Sequence, residues 1–438
     1  MRQKVSIWMV LILIGSLVLC SGISFAQKTI TLNVAMEAGR MADAANSVVP
    51  AFEKAYPNTK VKVIPLPYTT LWQKLVQELS AGSGAYDVIE AHLILNAMFI
   101  KSGWIIPLDK YIKEGKIDVS DFLPAFWKIG TLAGKASQLN PKGKIYGLPY
   151  NGDIMMLIFR KDLYPLYGLT VPKTWEDFVK NVTTVNNPEK DFYGLAISGA
   201  RAENSHVIYD FYNMALNMGG TLPLGKGYKP QMFSPGNLKA LQLYADFVNK
   251  YKVTPPGVRE YRYAEKNTAL AQGKAAHMFQ WMLACYKSLE DPTQSRVSGK
   301  IGYTTMPGGT SVAGGWTVSI TNTCKYPKRA FDFINFLTNT ENNKKLAIEF
   351  GNGPVRKSSA QAPEMAKKFP FISDYIKASI NGVNVQFSAP ELPIWPQLVD
   401  IINFRLTDTI FKGKPAEAML KQADREMANL LKEQGFIK

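Results

Sequence analysis

In this chain, the histidines, serines and glycines do not stand in the spacings of known catalytic motifs. Its three histidines, His92, His206 and His277, stand in no HExxH motif and beside no CxxC pair, so we expect no zinc site. The chain also has no GxSxG elbow, no GxxxxGKS/T phosphate loop and no GxGxxG spacing. Carboxylate pairs for glycoside hydrolysis stay open, because a sequence does not show their separation in space. We therefore predict that the protein is not an enzyme and carries no metal or cofactor.

The side chains left to consider are carboxylates, amides and tryptophans. A carboxylate can accept two hydroxyl hydrogens from one ligand, and an asparagine offers both a donor and an acceptor. An indole can cover the C–H face of a sugar ring while its N–H reaches a hydroxyl. Such residues are typical of a polar, aromatic-lined pocket, so the sequence favours binding over catalysis.

Strands and helices alternate along the first part of the chain and would position these side chains. Periodicity predicts strands over 29–36 and 61–66, helices over 48–56 and 71–79, and a third strand from 86. This rhythm indicates βα units and a largely parallel sheet. The apolar run at 154–159 predicts a strand that is buried on both faces. Further along, the pattern predicts helices over 175–181, 238–250, 327–337 and 416–431, and strands over 300–306 and 316–321.

The N-terminus has the three parts of a secretory signal peptide. Arg2 and Lys4 make it basic, residues 7–19 form an apolar run, and small residues stand at positions 24 and 26. We predict that residues 1–26 form a signal peptide cleaved after Ala26, which leads the protein to the periplasm or the outer face of the cytoplasmic membrane. An uncleaved anchor, or a lipid on Cys20, stays an alternative.

Composition indicates a folded, soluble chain. The 438 residues are 46% hydrophobic and 20% charged, and about 410 would remain after cleavage, enough for two domains. The formal net charge of +16 comes from scattered lysines and arginines. We expect no nucleic-acid partner, because such binding needs a concentrated basic stripe or a known motif. Export would permit a disulfide between Cys285 and Cys324, but the sequence does not show whether they meet.

Several motifs resemble those of the family 1 extracellular solute-binding proteins of bacterial ABC importers. They follow the same order as in that family along nearly the whole mature chain, and their layout is similar to that of maltose-binding protein. Each motif is weak alone, and their order makes the set specific. They lie at residues 49–58, 86–89, 99–109, 143–150, 159–164, 172–178, 272–278, 314–320, 330–337 and 395–433.

The resemblance implies an α/β, two-lobe periplasmic-binding-protein fold of type II, with the ligand in the cleft between the lobes. Each lobe would be a sheet flanked by helices, and hinge motion would close the cleft. The predicted boundaries are 27–149 plus 301–350 for the N-terminal lobe, and 150–300 plus 351–438 for the C-terminal lobe.

The resemblance also implies ligand-binding positions. Asp153, with Asn151 beside it, follows the strand that resembles the hinge. Trp281 and Trp316 would supply aromatic walls, and Gly314 and Gly315 would let the backbone come close to the ligand. The remaining expected contacts come from the ends of two early strands and from a late crossover: Glu37, Glu90 and Arg356.

We therefore expect a monomer that captures a sugar, sugar alcohol or short oligosaccharide and delivers it to an ABC permease in the inner membrane. The stretch 398–402 lacks the aromatic residue that maltose-binding proteins carry there, which favours a ligand smaller than a long maltodextrin. The alternatives are a binder of a polyamine or an anionic sugar derivative, a secreted carbohydrate-active enzyme, and a sensor that presents the loaded form to a membrane receptor.

Overall fold

A computed structural model describes residues 29–130, 143–201, 206–385 and 392–438. The predicted signal peptide and its cleavage site lie outside these residues. The strands are β1 (Ile30–Glu37), β2 (Thr59–Leu66), β3 (Val88–His92), β4 (Leu148–Arg160), β5 (Tyr193–Ala196), β6 (Ala275–Trp281), β7 (Ile301–Thr304) and β8 (Ala313–Ile320).

Helices flank these strands along the chain. The first nine are α1 (Arg40–Ala55), α2 (Tyr68–Ala81), α3 (Leu93–Lys101), α4 (Asp109–Glu114), α5 (Pro124–Gly130), α6 (Leu163–Leu166), α7 (Trp175–Val185), α8 (His206–Ala215) and α9 (Pro235–Asn249). The others are α10 (Tyr263–Ala271), α11 (Met282–Glu290), α12 (Pro327–Thr338), α13 (Thr340–Phe350), α14 (Lys357–Ala360), α15 (Pro363–Lys368), α16 (Ile372–Ile380), α17 (Trp395–Lys412) and α18 (Ala416–Glu433). Short 3₁₀ helices cover Val119–Asp121, Pro188–Lys190, Leu216–Met218, Lys226–Tyr228 and Pro256–Glu260.

β4 joins two halves of the sheet: the first half contains β1, β2, β3 and β8, and the second contains β5, β6 and β7. The strand order is β2-β1-β3-β8-β4-β6-β5, and β7 pairs with β4 beside this path. The first part of β4, up to Ile154, pairs with β8, while the part from Met155 to Arg160 pairs with β6 and β7. Nearly all of β4 is buried, as expected for the apolar run that it contains. The described chain is thus the mixed α/β fold that the resemblance implies.

The expectation of a largely parallel sheet is wrong. β1 is parallel to β2 and β3, and β5 is parallel to β6. β8 is antiparallel to both of its neighbours, and β4 is antiparallel to β6 and β7 as well. The error has a physical cause: periodicity reports which residues of a strand are buried, and the direction of its neighbours depends on chain connections far away.

Local sequence explains where the predicted helices begin. α7 starts with a capping box in which the Thr174 hydroxyl accepts from the Asp177 backbone N–H and the Asp177 carboxylate accepts from the Thr174 N–H. Pro327 occupies the first turn of α12, where its missing N–H costs no helical hydrogen bond. The predicted C-terminal helix is α18, with Met419, Leu420 and other apolar residues buried along one face.

Two further observations concern the cysteines and the helices. Cys285 and Cys324 are free thiols, so the disulfide that export would permit is not formed in this structure. In the described ranges, no helix is both long and apolar enough to cross a bilayer.

Candidate ligand-binding site

A cavity of about 220 Å³ lies between elements from the two halves of the sheet. The first half contributes the end of β1, the start of α2 and the end of β3, and the second half contributes α8, α10 and the end of β6. The middle of β4 and the first residues of β8 form the base. The lining residues are Glu37, Tyr68, His92, Asp153, Tyr209, Tyr263, Trp281, Ala313, Gly314, Gly315 and Trp316.

Two carboxylates line the cavity and a third lies directly behind them. Glu37 ends β1, and its backbone N–H donates to Oε2 of Glu90 on β3 at 2.8 Å. Burial raises the pKa of Glu37 to about 7, opposed by Arg40 and reinforced by Asp153. Burial, with the nearby charge of Glu37, raises the pKa of Glu90 well above its usual range, and burial also raises that of Asp153. Burial thus disfavours the charged forms of these carboxyls, and hydrogen bonds from ligand hydroxyls would favour them again.

Arg40, the first residue of α1, places its charge near these acids and links β4 to the segment after α13. Its Nη1 donates to the carbonyl oxygen of Gly351 at 2.7 Å and to Oδ1 of Asn151 at 3.2 Å. The same Asn151 oxygen accepts from the backbone N–H of Gly353 at 2.7 Å. Asn151 is fully buried, so its side chain holds the segment after α13 against β4.

Trp316 belongs to an aromatic group on one side of the cavity. In β8 it pairs with His92 of β3 across one edge and with Asn151 of β4 across the other. The His92 ring meets the Trp316 ring edge to face at 4.6 Å and stacks on Trp72 at 5.4 Å. Burial lowers the pKa of His92 to about 3. The imidazole therefore stays neutral at neutral pH and adds no positive charge to the cavity.

Trp281 forms the opposite aromatic wall with two tyrosines. Its ring lies 5.4 Å from that of Tyr209 and 6.3 Å from that of Tyr263, both in edge-to-face arrangements. Trp281 is the last residue of β6, is half-buried and lines the cavity. The two walls thus present aromatic faces from the two halves of the sheet.

The glycines of β8 keep the base of the cavity open. Gly314 pairs with Asp153 across the strands, and a Cβ on Gly314 would lie 3.2 Å from the Trp281 ring. Gly315 has φ +147°, and a Cβ there would lie 2.6 Å from the carbonyl oxygen of Asn151. A side chain at either position would push against the wall or the neighbouring strand.

Comparison with known proteins identifies the family. The model of the bacterial extracellular solute-binding protein family matches residues 38–344. The chain belongs to this family. The mannitol-binding protein of Pseudomonas aeruginosa is 25% identical over 312 residues, which cover 68% of this solute-binding protein and 67% of that relative.

The fold of this chain is also similar to those of solved structures. The maltose-bound MalE3 protein of T. maritima has a TM-score of 0.78 and 25% identity, over 92% of this chain and all of that one. A ribitol complex of an ABC transporter solute-binding protein from Agrobacterium radiobacter K84 has a TM-score of 0.77 and 26% identity, over 92% and 99% of the two chains. The two-lobe fold inferred from the order of the motifs is thereby confirmed.

Most of the residues singled out in the sequence of this solute-binding protein lie together. Six line the cavity, and Glu90 and Asn151 are buried behind it. The six are Glu37, Asp153, Trp281, Gly314, Gly315 and Trp316.

Arg356 is held elsewhere. Its Nε donates to the carbonyl oxygen of Thr338 at 2.6 Å, and its Nη1 lies 3.3 Å from the Asp121 carboxylate. The guanidinium also stacks over the Phe122 ring, 4.0 Å from its centroid. These contacts use the side chain to anchor the segment after α13, and Arg356 is not a lining residue of the cavity.

Sequence reasoning missed five lining residues. His92 and Tyr68 lie at or just after the carboxyl ends of β3 and β2, where ligands of α/β sheets bind, and that position could have revealed them. Tyr209 and Tyr263 are on helices, and only tertiary packing turns them to the cavity. Ala313, the fifth, has no side-chain chemistry to signal it. Among the described residues, no group of histidine, cysteine, aspartate and glutamate could hold a metal ion.

Proposed function

We propose that this solute-binding protein captures a small, uncharged sugar or sugar alcohol outside the cytoplasm. The observation that carries the proposal is the character of the cavity: two carboxylates and two tryptophan faces line it, and no lysine or arginine is among its described lining residues. A neutral polyol satisfies such a site, because its hydroxyls donate to the carboxylates and its C–H face covers an indole.

The size of the cavity supports a small ligand. Its volume of about 220 Å³ is below the roughly 300–1,000 Å³ of pockets for drug-sized molecules. A monosaccharide or a linear alditol is therefore favoured over a long oligosaccharide. Three similar proteins support this ligand class, since one is named for mannitol and two structures contain maltose and ribitol.

Each part of the site has a role in this proposal. Glu37 and Asp153 accept ligand hydroxyls, and Trp281 and Trp316 enclose the ligand from both sides. Gly314 and Gly315 leave space above β4 for it. Glu90 and Asn151 act from behind, as supports of Glu37 and of the segment after α13. Arg356 has no part in ligand contact.

The proposal extends to the place and the partner of the protein. We infer export through a signal peptide cleaved after Ala26, residence in the periplasm or on the outer face of the cytoplasmic membrane, and delivery of the ligand to an ABC permease by a monomer that performs no catalysis. The lobe boundaries at 149/150, 300/301 and 350/351 belong to the same proposal. Closure around the ligand would then be a hinge motion of the two lobes.

A ligand panel tests the proposal. Isothermal calorimetry on the purified mature chain compares D-mannitol, ribitol and maltose with glycerol 3-phosphate and spermidine. One neutral compound is expected to bind at one site per chain, and at 100 times its Kd it should stabilise the fold by about 2.7 kcal/mol. Binding of a charged compound alone, or release of reducing sugar from a glycan panel, would overturn the proposal.

A further inference from the structure

A fully buried ion pair lies behind the wall that contains Trp281. The side chains of Lys266 and Asp210 are both 0% exposed. The Lys266 ammonium group donates to both carboxylate oxygens of Asp210, each at 3.1 Å, and to the carbonyl oxygen of Phe279 at 2.7 Å. All three of its hydrogens thus have acceptors.

These three contacts connect the elements that carry the wall. Asp210 is on α8, directly after Tyr209. Lys266 is on α10, about one helical turn after Tyr263. Phe279 is on β6, two residues before Trp281, on the same face of the strand. One ammonium group, carried by α10, therefore bonds to the two other elements that supply rings to this side of the cavity.

The partners of the ion pair are themselves fixed. The second oxygen of Asp210 accepts from the Ser198 backbone N–H at 2.8 Å, and the Tyr244 hydroxyl donates to the Ser198 carbonyl oxygen at 2.6 Å. One turn along α8, Oδ1 of Asn213 accepts from the backbone N–H of Val312 at 2.8 Å. Because Val312 precedes β8, α8 is linked to the base of the cavity as well.

Net stability is a poor explanation for such a pair. Removing two charges from water costs more than their attraction often returns, and a well-packed apolar pair of the same volume is commonly as stable. A charged pair with every hydrogen bond satisfied gives directionality instead, since only one arrangement of the three elements satisfies all of its donors and acceptors.

We propose that Lys266 is a positioning residue of the ligand site, which sets the relative placement of the Tyr209, Tyr263 and Trp281 rings through its bonds to α8 and β6. The importance of the wall for ligand capture rests on the proposed function, but the placement of the rings does not.

Binding sites need their groups held to about 0.5 Å. The Gln280 side-chain amide of β6 also donates to the Tyr263 carbonyl oxygen and to Oδ1 of Asn267 on α10, at 3.1 and 2.8 Å. The ammonium group adds the bonds from α10 to Asp210 of α8 and to the β6 backbone.

The first test uses no ligand. The protein is labelled with 5-fluorotryptophan, and the ¹⁹F signals of Trp281 and Trp316 are assigned with the Trp281→Phe and Trp316→Phe variants. The test variant combines Lys266→Met with Asp210→Asn, which removes both charges and keeps an acceptor for Ser198. We expect the Trp281 signal to shift or split by more than its wild-type linewidth, while the Trp316 signal stays in place.

The matched control removes another buried ion pair. Arg356→Met with Asp121→Asn deletes a pair at 3.3 Å whose side chains are 6% and 15% exposed, away from the cavity. Its Trp281 signal should be that of the wild type. An unchanged Trp281 signal in the folded test variant, or an equal change in the control, would overturn the proposal. If the test variant does not fold, Lys266→Gln with Asp210→Asn, which leaves no unpaired buried charge, is measured with the same two outcomes.

The second test uses calorimetry with D-mannitol and ribitol. For whichever of them the wild type binds, the affinity should fall at least tenfold in the test variant and by less than twofold in the control. Unchanged affinity in the test variant would contradict the positioning role. Failure of the wild type to bind either compound would instead count against the proposed function and leave the fluorine result standing.

Discussion

Glu37 and Glu90 are held together from adjacent parallel strands by the 2.8 Å hydrogen bond from the Glu37 N–H to the Glu90 carboxylate. Two acidic side chains are thereby placed close together in a region from which water is largely excluded. Their repulsion and burial make the charged forms costly, and Arg40 offsets only part of this cost. The protonation of this edge of the cavity, at the end of β1, is therefore sensitive to pH.

The first prediction concerns pH and Glu37. The folded-state pKa of about 7 is above the usual 4.5, so between these values the folded state holds a proton that the unfolded chain has lost. The free energy of unfolding should then fall as pH rises from about 4.5 to 7, by at most about 1.4 kcal/mol per pH unit for this group. Urea unfolding of wild type and Glu37→Gln across this range measures it, and the variant should lose this slope.

The histidines also change the pH dependence of stability, so the slope for Glu37→Gln must be subtracted from the slope for the wild type. Burial lowers the pKa of His92 and His206 to about 3 and that of His277 to about 4. These groups make the fold more stable as pH rises towards 6.5, which is the opposite sign. They are common to both proteins and cancel in the difference. Equal slopes for wild type and Glu37→Gln would show that Glu37 titrates normally.

The second prediction separates the two tryptophans. Trp281→Ala and Trp316→Ala should each weaken binding of the neutral ligand by about 2 kcal/mol or more, the level of an interface hot spot. Trp316 is only 5% exposed, so its removal should also lower the free energy of unfolding by roughly 3 kcal/mol. The half-buried Trp281 should cost less. Calorimetry measures the affinity of each variant, and urea unfolding measures its stability. Wild-type affinity in both variants would show that these tryptophans serve the packing of the core and not ligand binding.

Asp153→Asn is expected to weaken binding without preventing closure. Asn keeps the size but loses the charge, and a hydrogen bond to a charged group is worth about 1.5–3 kcal/mol. Affinity should fall roughly tenfold to a hundredfold, and saturating ligand should still compact the protein in small-angle scattering. Unchanged affinity would remove Asp153 from the site, and lost compaction would assign it to the hinge.

Gly315→Ala should destabilise the fold, because Gly315 combines φ +147° with a Cβ position 2.6 Å from a backbone oxygen. The expected loss is about 1–3 kcal/mol of unfolding free energy. Gly168→Ala is the control, since Gly168 has φ +61° and open space around its Cβ position, and should cost less. A Gly315→Ala loss no larger than that of the control would show that β4 and β8 can separate to admit a methyl group.

The sequence predicts much of this site through the family resemblance, which implies Glu37, Trp281 and Trp316 as ligand-binding positions. Local periodicity adds a strand over 29–36, just before Glu37, and a strand that begins at Trp316. It predicts no strand at Trp281, which ends β6 in the structure. Tyr209 and Tyr263 could not be found in this way, because they reach the cavity only through the packing of α8 and α10.

Local sequence patterns do not show the direction of a strand relative to its neighbours, nor the distant residues that a side chain contacts. The insertion of β8 between β3 and β4 is decided by long-range pairing, so its antiparallel sense was not predicted. Arg356 follows the glycine-rich crossover, as expected for a cleft residue, but the carboxylate of Asp121, 235 residues earlier in the chain, holds it elsewhere.

The export prediction is independent of the cavity. N-terminal sequencing of the secreted protein should begin at Gln27, because the small residues at 24 and 26 define the cleavage site. An intact Met1 would indicate an anchor, and a lipid on Cys20 would indicate a lipoprotein.

Native mass spectrometry tests the central claim most directly. The mature protein is mixed with equimolar D-mannitol, ribitol, maltose, glycerol 3-phosphate and spermidine, and wild type is compared with Trp281→Ala. We predict one adduct per chain with the mass of a neutral sugar or sugar alcohol, and its loss in the variant. An adduct of glycerol 3-phosphate or spermidine alone, or no adduct at all, would contradict the account.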